Sequence, residues 1–158
     1  MINTKDIKTL LEEASFFNSL PEHNLELLCG CGQLVHAKAG SFMLKEGEEA
    51  NSLYLIRKGE VGIESHIPGG VLTVSKVGSD GVVGYSWLFP PYKNIFDARA
   101  ITDVSAIKFD GRCLRAKAEA DHELGYQFMK CFADILLKTM QSTRRQMLDI
   151  YGEVGKTS

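Results

Sequence analysis

The chain has no CxxC motif, no closely spaced histidine pair and no run of Lys or Arg. Each absence removes a class of function. Its four cysteines are Cys29, Cys31, Cys113 and Cys131, and the two near neighbours merely flank Gly30. Paired zinc ligands usually have about two to four residues between them, and here there is only Gly30, so this spacing is poor for a structural zinc site. The expected state is buried or half-buried thiols in a reducing compartment, rather than a cysteine-held iron–sulfur cluster. His23, His36, His66 and His122 are scattered, and no metal site is expected. A formal net charge of −2 without clustered cations argues against direct nucleic-acid binding, which needs phosphate neutralisation. No uninterrupted apolar run is long enough to span a bilayer, and the chain opens without a secretory leader, so no membrane partner and a cytoplasmic location are expected. No nucleophile with an adjacent base and no carboxylate pair can be assembled, so there are no candidate catalytic residues and the chain is not expected to be an enzyme.

What is present is enough for one domain. A chain of 158 residues buries about 70% of the surface its unfolded form exposes. Ile7, Leu10, Leu11 and Ala14 fall on one helical face, and a second short helix is expected over residues 22–28, after Pro21. From Gln33 the period changes. Short β runs are expected at 34–37, 41–44, 52–57, 61–64, 71–77, 96–101 and 104–109, divided by turn signals at Ala39-Gly40, Gly47, Gly59, Gly69-Gly70 and Asp80-Gly81. Regular short strands point to a closed or sandwich-like β architecture.

After Asp110, a candidate N-cap, the chain reads as helix: a short piece over 111–118, then about 31 residues from Asp121 to Tyr151, closed by Gly152. A helix of that length spans about 46 Å, against a radius of gyration of about 15 Å for a compact domain of this size, so it should overhang its own body. Met129, Ala133, Leu136, Met140, Thr143, Met147 and Ile150 alternate at spacings of four and three, the seam of a coiled coil. A second stripe, Leu124, Phe128, Phe132 and Ile135, occupies only the first half. The expectation is that the second stripe packs on the β body while the seam pairs with a second copy, giving a homodimer. The competing reading is one broad apolar face folded back on a single domain.

Between the strands lies Gly78-Ser79-Asp80-Gly81-Val82-Val83-Gly84-Tyr85-Ser86-Trp87-Leu88, where the backbone leaves a β pattern, turns, and starts a short helical turn. Free N–H groups at such a place can receive an anion.

Taken with Gly40, Glu46-Gly47-Glu48, the run Leu53 to Val61 and Ala98-Arg99-Ala100, this segment resembles the cyclic-nucleotide-binding domain of the catabolite-activator and fumarate–nitrate-regulator superfamily, in a stand-alone form without the helix-turn-helix. The resemblance implies a mainly β fold with flanking helices: a jelly-roll-like β-roll, or double-stranded β-helix, over 33–109, N-terminal helices over 1–32, and C-terminal helices over 110–152. It also implies a phosphate-binding cassette closed by the long helix. Two functional positions depart from the family. The glutamate that grips the ribose hydroxyl is replaced by Tyr85, and the phosphate-gripping arginine falls at Lys93 or Asn94. Arg99 matches a different position and reads as a surface arginine near Asp97 or Asp103. Pro90-Pro91 removes two more donors.

The candidate ligand residues are therefore Val83, Gly84, Tyr85, Ser86, Trp87, Lys93, Asn94 and Phe96, with Thr139 on the long helix at the position that meets the base edge. They imply either a modified site, for a smaller anion or a different nucleotide, or a pocket filled by aromatics. No cofactor is otherwise expected. The leading reading is a dimeric regulatory or sensor domain that does not bind cAMP in the usual way. The alternatives are a ligand-free module that docks on a protein partner, or the sensor part of a transcription regulator of this superfamily; direct DNA binding is not expected of these 158 residues, since the family's helix-turn-helix would follow the long helix.

Overall fold

The computed structural model describes residues 4–17 and 20–156. Two N-terminal helices, α1 (Thr4–Glu12) and α2 (Glu22–Cys29), precede eight strands: β1 (Gly32–Ala37), β2 (Phe42–Leu44), β3 (Ser52–Lys58), β4 (Val61–Ile67), β5 (Gly70–Val77), β6 (Val82–Val83), β7 (Asp97–Ala100) and β8 (Val104–Asp110). Helices α3 (Gly111–Ala120) and α4 (His122–Lys156) follow. The strands form two four-stranded antiparallel sheets, ordered β1-β8-β3-β6 and β2-β7-β4-β5, wrapped face to face as a β-roll. The expected runs all become strands; the two-residue β6 was hidden within the turn-rich segment.

Two cores explain why β3 and β8 read as nearly continuous apolar runs. Tyr54 and Ile56 of β3, with Val104 and Ala106 of β8, point between the sheets beside Leu44, Val61, Ile63, Val83, Ala98 and Ala100. Their alternate neighbours, Leu53, Leu55, Ile107 and Phe109, point outward to a second core built with Leu11, Phe17, Leu28 and Leu114. Leu124, Phe128 and Phe132 complete that core, so the second stripe of α4 packs on the β body as its spacing implied, with Ile135 half-buried.

Asp110 caps α3, its carboxylate accepting from the N–H groups of Arg112 and Cys113. Asp121 caps α4 in the same way, through Glu123 and Leu124. The long helix does not stop at Gly152 but continues to Lys156. A glycine closes a helix by adopting the left-handed conformation, and Gly152 keeps a negative φ. Nor is its second half simply free of the domain: Gln146 Nε2 reaches the Val74 carbonyl of β5 at 3.5 Å.

The cysteine expectation requires correction. Cys31 and Cys113 form a disulfide, while Cys29 and Cys131 are buried thiols outside it. Pairing of Gly32 with Phe109 and the bond from Asp110 N–H to the Cys31 carbonyl bring the start of β1 against the first turn of α3. Two thiols 82 residues apart thereby become neighbours. Burial pushes the remaining Cys29 thiol up from its usual range.

Candidate ligand-binding site

The cassette begins at β6, which adds to the edge of its sheet by pairing Val82 and Val83 with Leu55 and Tyr54. Gly84 follows at φ +89, and a Cβ there would stand 2.6 Å from the Ser52 carbonyl oxygen. Glycine is required by both conformation and space. After Tyr85 the chain forms a 3₁₀ turn over Ser86–Leu88. The short helical turn expected from the sequence is thus a 3₁₀ turn, and its three residues carry little helix dipole.

The side chains around this turn divide into three groups. Trp87 is fully buried, its ring edge-on to Phe128 at 6.3 Å and Phe132 at 5.6 Å, and its Nε1–H donates to the Gly84 carbonyl at 3.1 Å. It is a core residue that joins the cassette to α4, so its side chain is turned away from the cassette surface. Val83 is likewise turned into the core between the sheets. Tyr85 and Phe96 meet edge to face at 6.1 Å, the first packed on the helical core and the second on the core between the sheets. Burial raises the Tyr85 phenol above its ordinary pKa.

The third group, the returning segment, is tied to the loop after β2. Asn94 is buried, and its Nδ2 donates to the Lys45 carbonyl at 3.1 Å. Its backbone closes the same loop, with Asn94 N–H donating to Glu48 and Gly47 N–H donating back. Lys93 is exposed and pairs through its backbone with Glu49. Asn94 is therefore a loop clamp rather than a free phosphate ligand, and Lys93 is the cation left at that position.

Thr139 is exposed on α4 and lines a groove of about 600 Å³ with Ser15, Val77, Gly81, Val82 and Ile135. It thus meets the strand leading into the cassette. Arg115 was missed by sequence reasoning. Its guanidinium stacks over the Tyr92 ring at 4.2 Å and donates to the Trp87 carbonyl, so α3 holds both ends of the cassette. No local pattern marked it, because α3 meets the cassette only in three dimensions. Arg99 also differs from expectation: its Nη2 pairs with Glu64 at 2.6 Å and its plane lies over Phe42, not beside Asp97 or Asp103.

A glycine-anchored turn between the two sheets, entered from β6, left through β7 and backed by a long helix, is the arrangement of one known family, and the sequence profile described as cyclic nucleotide-binding domain matches residues 34–121. The chain belongs to that family. A cAMP-activated global transcriptional regulator of the CRP-like type from Mycobacterium tuberculosis is 27% identical over 151 residues, covering 93% of this chain and 66% of the relative. The domain therefore spans about two thirds of that curated relative. The crystal structure of a cyclic nucleotide-binding-type protein from Geobacter metallireducens GS-15 superposes with a TM-score of 0.74 at 27% identity, over 87% of this chain and 98% of the other. At 21% identity, the regulatory subunit of a cAMP-independent protein kinase A from Trypanosoma brucei shares the fold, with a TM-score of 0.69 over 87% of this chain and 47% of that one. Among the described residues no helix is long and apolar enough to cross a membrane.

Proposed function

We propose that this domain is a dimeric regulatory module of the cyclic-nucleotide-binding type whose cassette answers to a ligand other than cAMP, either a smaller anion or a different nucleotide. The observation that carries this reading is Tyr85: it stands where the family places the ribose-binding glutamate and is packed edge to face on Phe96. Asn94, at the arginine position, spends its amide on the Lys45 carbonyl. A charge-assisted phosphate contact and a hydroxyl contact are each worth about 1.5–3 kcal/mol, so losing both weakens cAMP by about a hundred-fold to ten-thousand-fold. What remains for an anion is the backbone of the 84–87 turn, the Ser86 hydroxyl and Lys93.

The relatives span both behaviours, since the mycobacterial regulator is cAMP-activated and the trypanosomal kinase is cAMP-independent. The seam of α4 supports dimerisation: Met129, Leu136, Met140, Met147 and Ile150 are 37–63% exposed, and Ala133 and Thr143 are also exposed. Such a row of apolar side chains on one long helix is what a paired helix buries.

The test is a calorimetric titration with cAMP, cGMP, 5′-AMP and inorganic phosphate, with the mass followed by light scattering. The expected result is a dimer that gives no micromolar cAMP binding but a measurable heat with another of these ligands. Micromolar cAMP binding would overturn the cassette reading. A dimer that binds none of them would favour the second reading, a ligand-free interaction module, which the packing of Trp87, Tyr85 and Phe96 also supports.

A further inference from the structure

Outside the cassette, Glu46, His66 and Asp97 bring ligand atoms within 4.8 Å of one another. They come from three separate stretches: the loop after β2, the end of β4 and the first residue of β7. Register explains the meeting. Asp97 lies opposite Glu64 in the β4–β7 ladder, and His66, two residues beyond Glu64, returns to the same face.

Asp97 is the anchor. Its side chain is 9% exposed; one oxygen, Oδ1, accepts from the Glu46 backbone N–H at 2.7 Å, and the other, Oδ2, accepts from His66 Nε2 at 2.9 Å. Its neighbour Glu64 is also buried, and two carboxylates side by side repel one another and lose solvation. Glu64 has Arg99. Asp97 has an imidazole instead, which is a cation only when protonated, and Glu46 brings a third carboxylate. Lys45, next along the chain, places its Nζ over the Phe42 ring. Arg99 is committed to Glu64, which leaves Asp97 and Glu46 with only the imidazole among the ligand atoms of the cluster, a charge that a divalent cation would offset.

We propose that Glu46, His66 and Asp97 form a binding site for a first-row divalent metal ion of the Zn²⁺ or Mn²⁺ class. One imidazole nitrogen with two carboxylates suits these ions better than Mg²⁺ or Ca²⁺, which favour all-oxygen shells. The Glu46 N–H that fixes Oδ1 is the kind of supporting bond that orients a metal-binding carboxylate. Metal bonds of about 2.0–2.1 Å at a tetrahedral angle put two ligand atoms about 3.3–3.4 Å apart. The His66–Asp97 pair must therefore open by a few tenths of an ångström as the imidazole proton moves to Nδ1. The His66 side chain is 61% exposed and free to swing by that amount. Three protein ligands leave further positions open to water or a small anion. Because Glu46 lies in the loop held by Asn94, the ion would tie that loop to the β4–β5 hairpin and to β7.

The test is titration of the whole chain with Zn²⁺ and Co²⁺, following bound metal after dialysis, melting temperature and the Co²⁺ spectrum. The expected result is one ion per chain, a raised melting temperature and a Co²⁺ spectrum without thiolate charge transfer. His66→Ala, at an exposed position that should not disturb folding, and Asp97→Asn should each weaken binding by about tenfold or more, as loss of even a supporting group does elsewhere. His36→Ala should leave it unchanged. Absence of stoichiometric binding, binding unaffected by His66→Ala, or a thiolate spectrum placing the metal on Cys29 or Cys131 would overturn the proposal.

Discussion

Gly111 lies against Trp87 with no room for a side chain between them: a Cβ on Gly111 would stand 2.6 Å from the Trp87 Cβ and 3.1 Å from the Asn51 carbonyl carbon. Its N–H also donates to the Asn51 carbonyl at 2.8 Å, so the backbone cannot back away without breaking that bond. The start of α3 is thereby seated on the cassette. Gly111→Ala should push Trp87 off Phe128 and Phe132 and destabilise the domain by about 1–3 kcal/mol, the usual cost of overpacking, read from urea unfolding with Trp87 fluorescence as the reporter. An unchanged midpoint and emission maximum would mean that the contact relaxes freely.

The α4 seam predicts oligomeric state. Met140 is 63% exposed and sits at the middle of the row. Met140→Glu should place like charges face to face in a paired helix and give the monomer mass by light scattering without loss of helicity. A persistent dimer would move the interface elsewhere.

Joining Cys31 to Cys113 closes a loop of 82 residues. Constraining the unfolded chain over such a loop is worth about 2–5 kcal/mol, so Cys113→Ser or thorough reduction should lower the unfolding free energy by that order. Thiol titration in denaturant without reductant should find two reactive thiols, Cys29 and Cys131, which lie outside the disulfide. Four reactive thiols would show the pair to be reduced in the purified protein.

Burial holds the Tyr85 phenol above its ordinary pKa. Above about pH 10 the unfolded chain releases a proton that the folded chain keeps, so stability falls as pH rises. The contribution of the neutral phenol is complete below that pH and is lost as pH climbs through the folded-state value. Between about pH 9 and 11 the native domain should lose more stability than Tyr85→Phe, measured as urea midpoints. Parallel losses would mean that the ring is solvated in solution.

Tyr85→Glu with Asn94→Arg should raise cAMP affinity if the two positions alone are missing. The arginine also removes the amide that satisfies the Lys45 carbonyl, so the double variant should be less stable by about 1–3 kcal/mol. Calorimetry and thermal unfolding on the same sample separate the two effects. No gain in affinity with intact folding would show that the cassette backbone, as well as its side chains, has departed from the cAMP-binding form.

The fold was legible because its signals are local. Alternation along β3 and β8, glycines such as Gly40, Gly47, Gly59, Gly69 and Gly84 at positive φ, and the two-stripe pattern of α4 each follow from backbone conformation or from which face must be buried. The site was legible only in part. Tyr85 and Asn94 were found by their spacing from Gly84 and from Ala98-Arg99-Ala100, but their partners, Phe96 and the Lys45 carbonyl, depend on how the sheets close. Trp87 could not be divided between ligand and core by composition, since an aromatic serves either.

The sequence by itself determined the order of helices and strands, the turns and the family, because each is written in residue type and spacing along one stretch of chain. Only the tertiary structure decided that Cys31 meets Cys113, that Arg99 pairs with Glu64, that Arg115 clamps the cassette, and that Glu46, His66 and Asp97 share one face. Those pairings join residues far apart in the chain, and strand register and helix docking, which no local pattern encodes, select which side chains end within bonding distance.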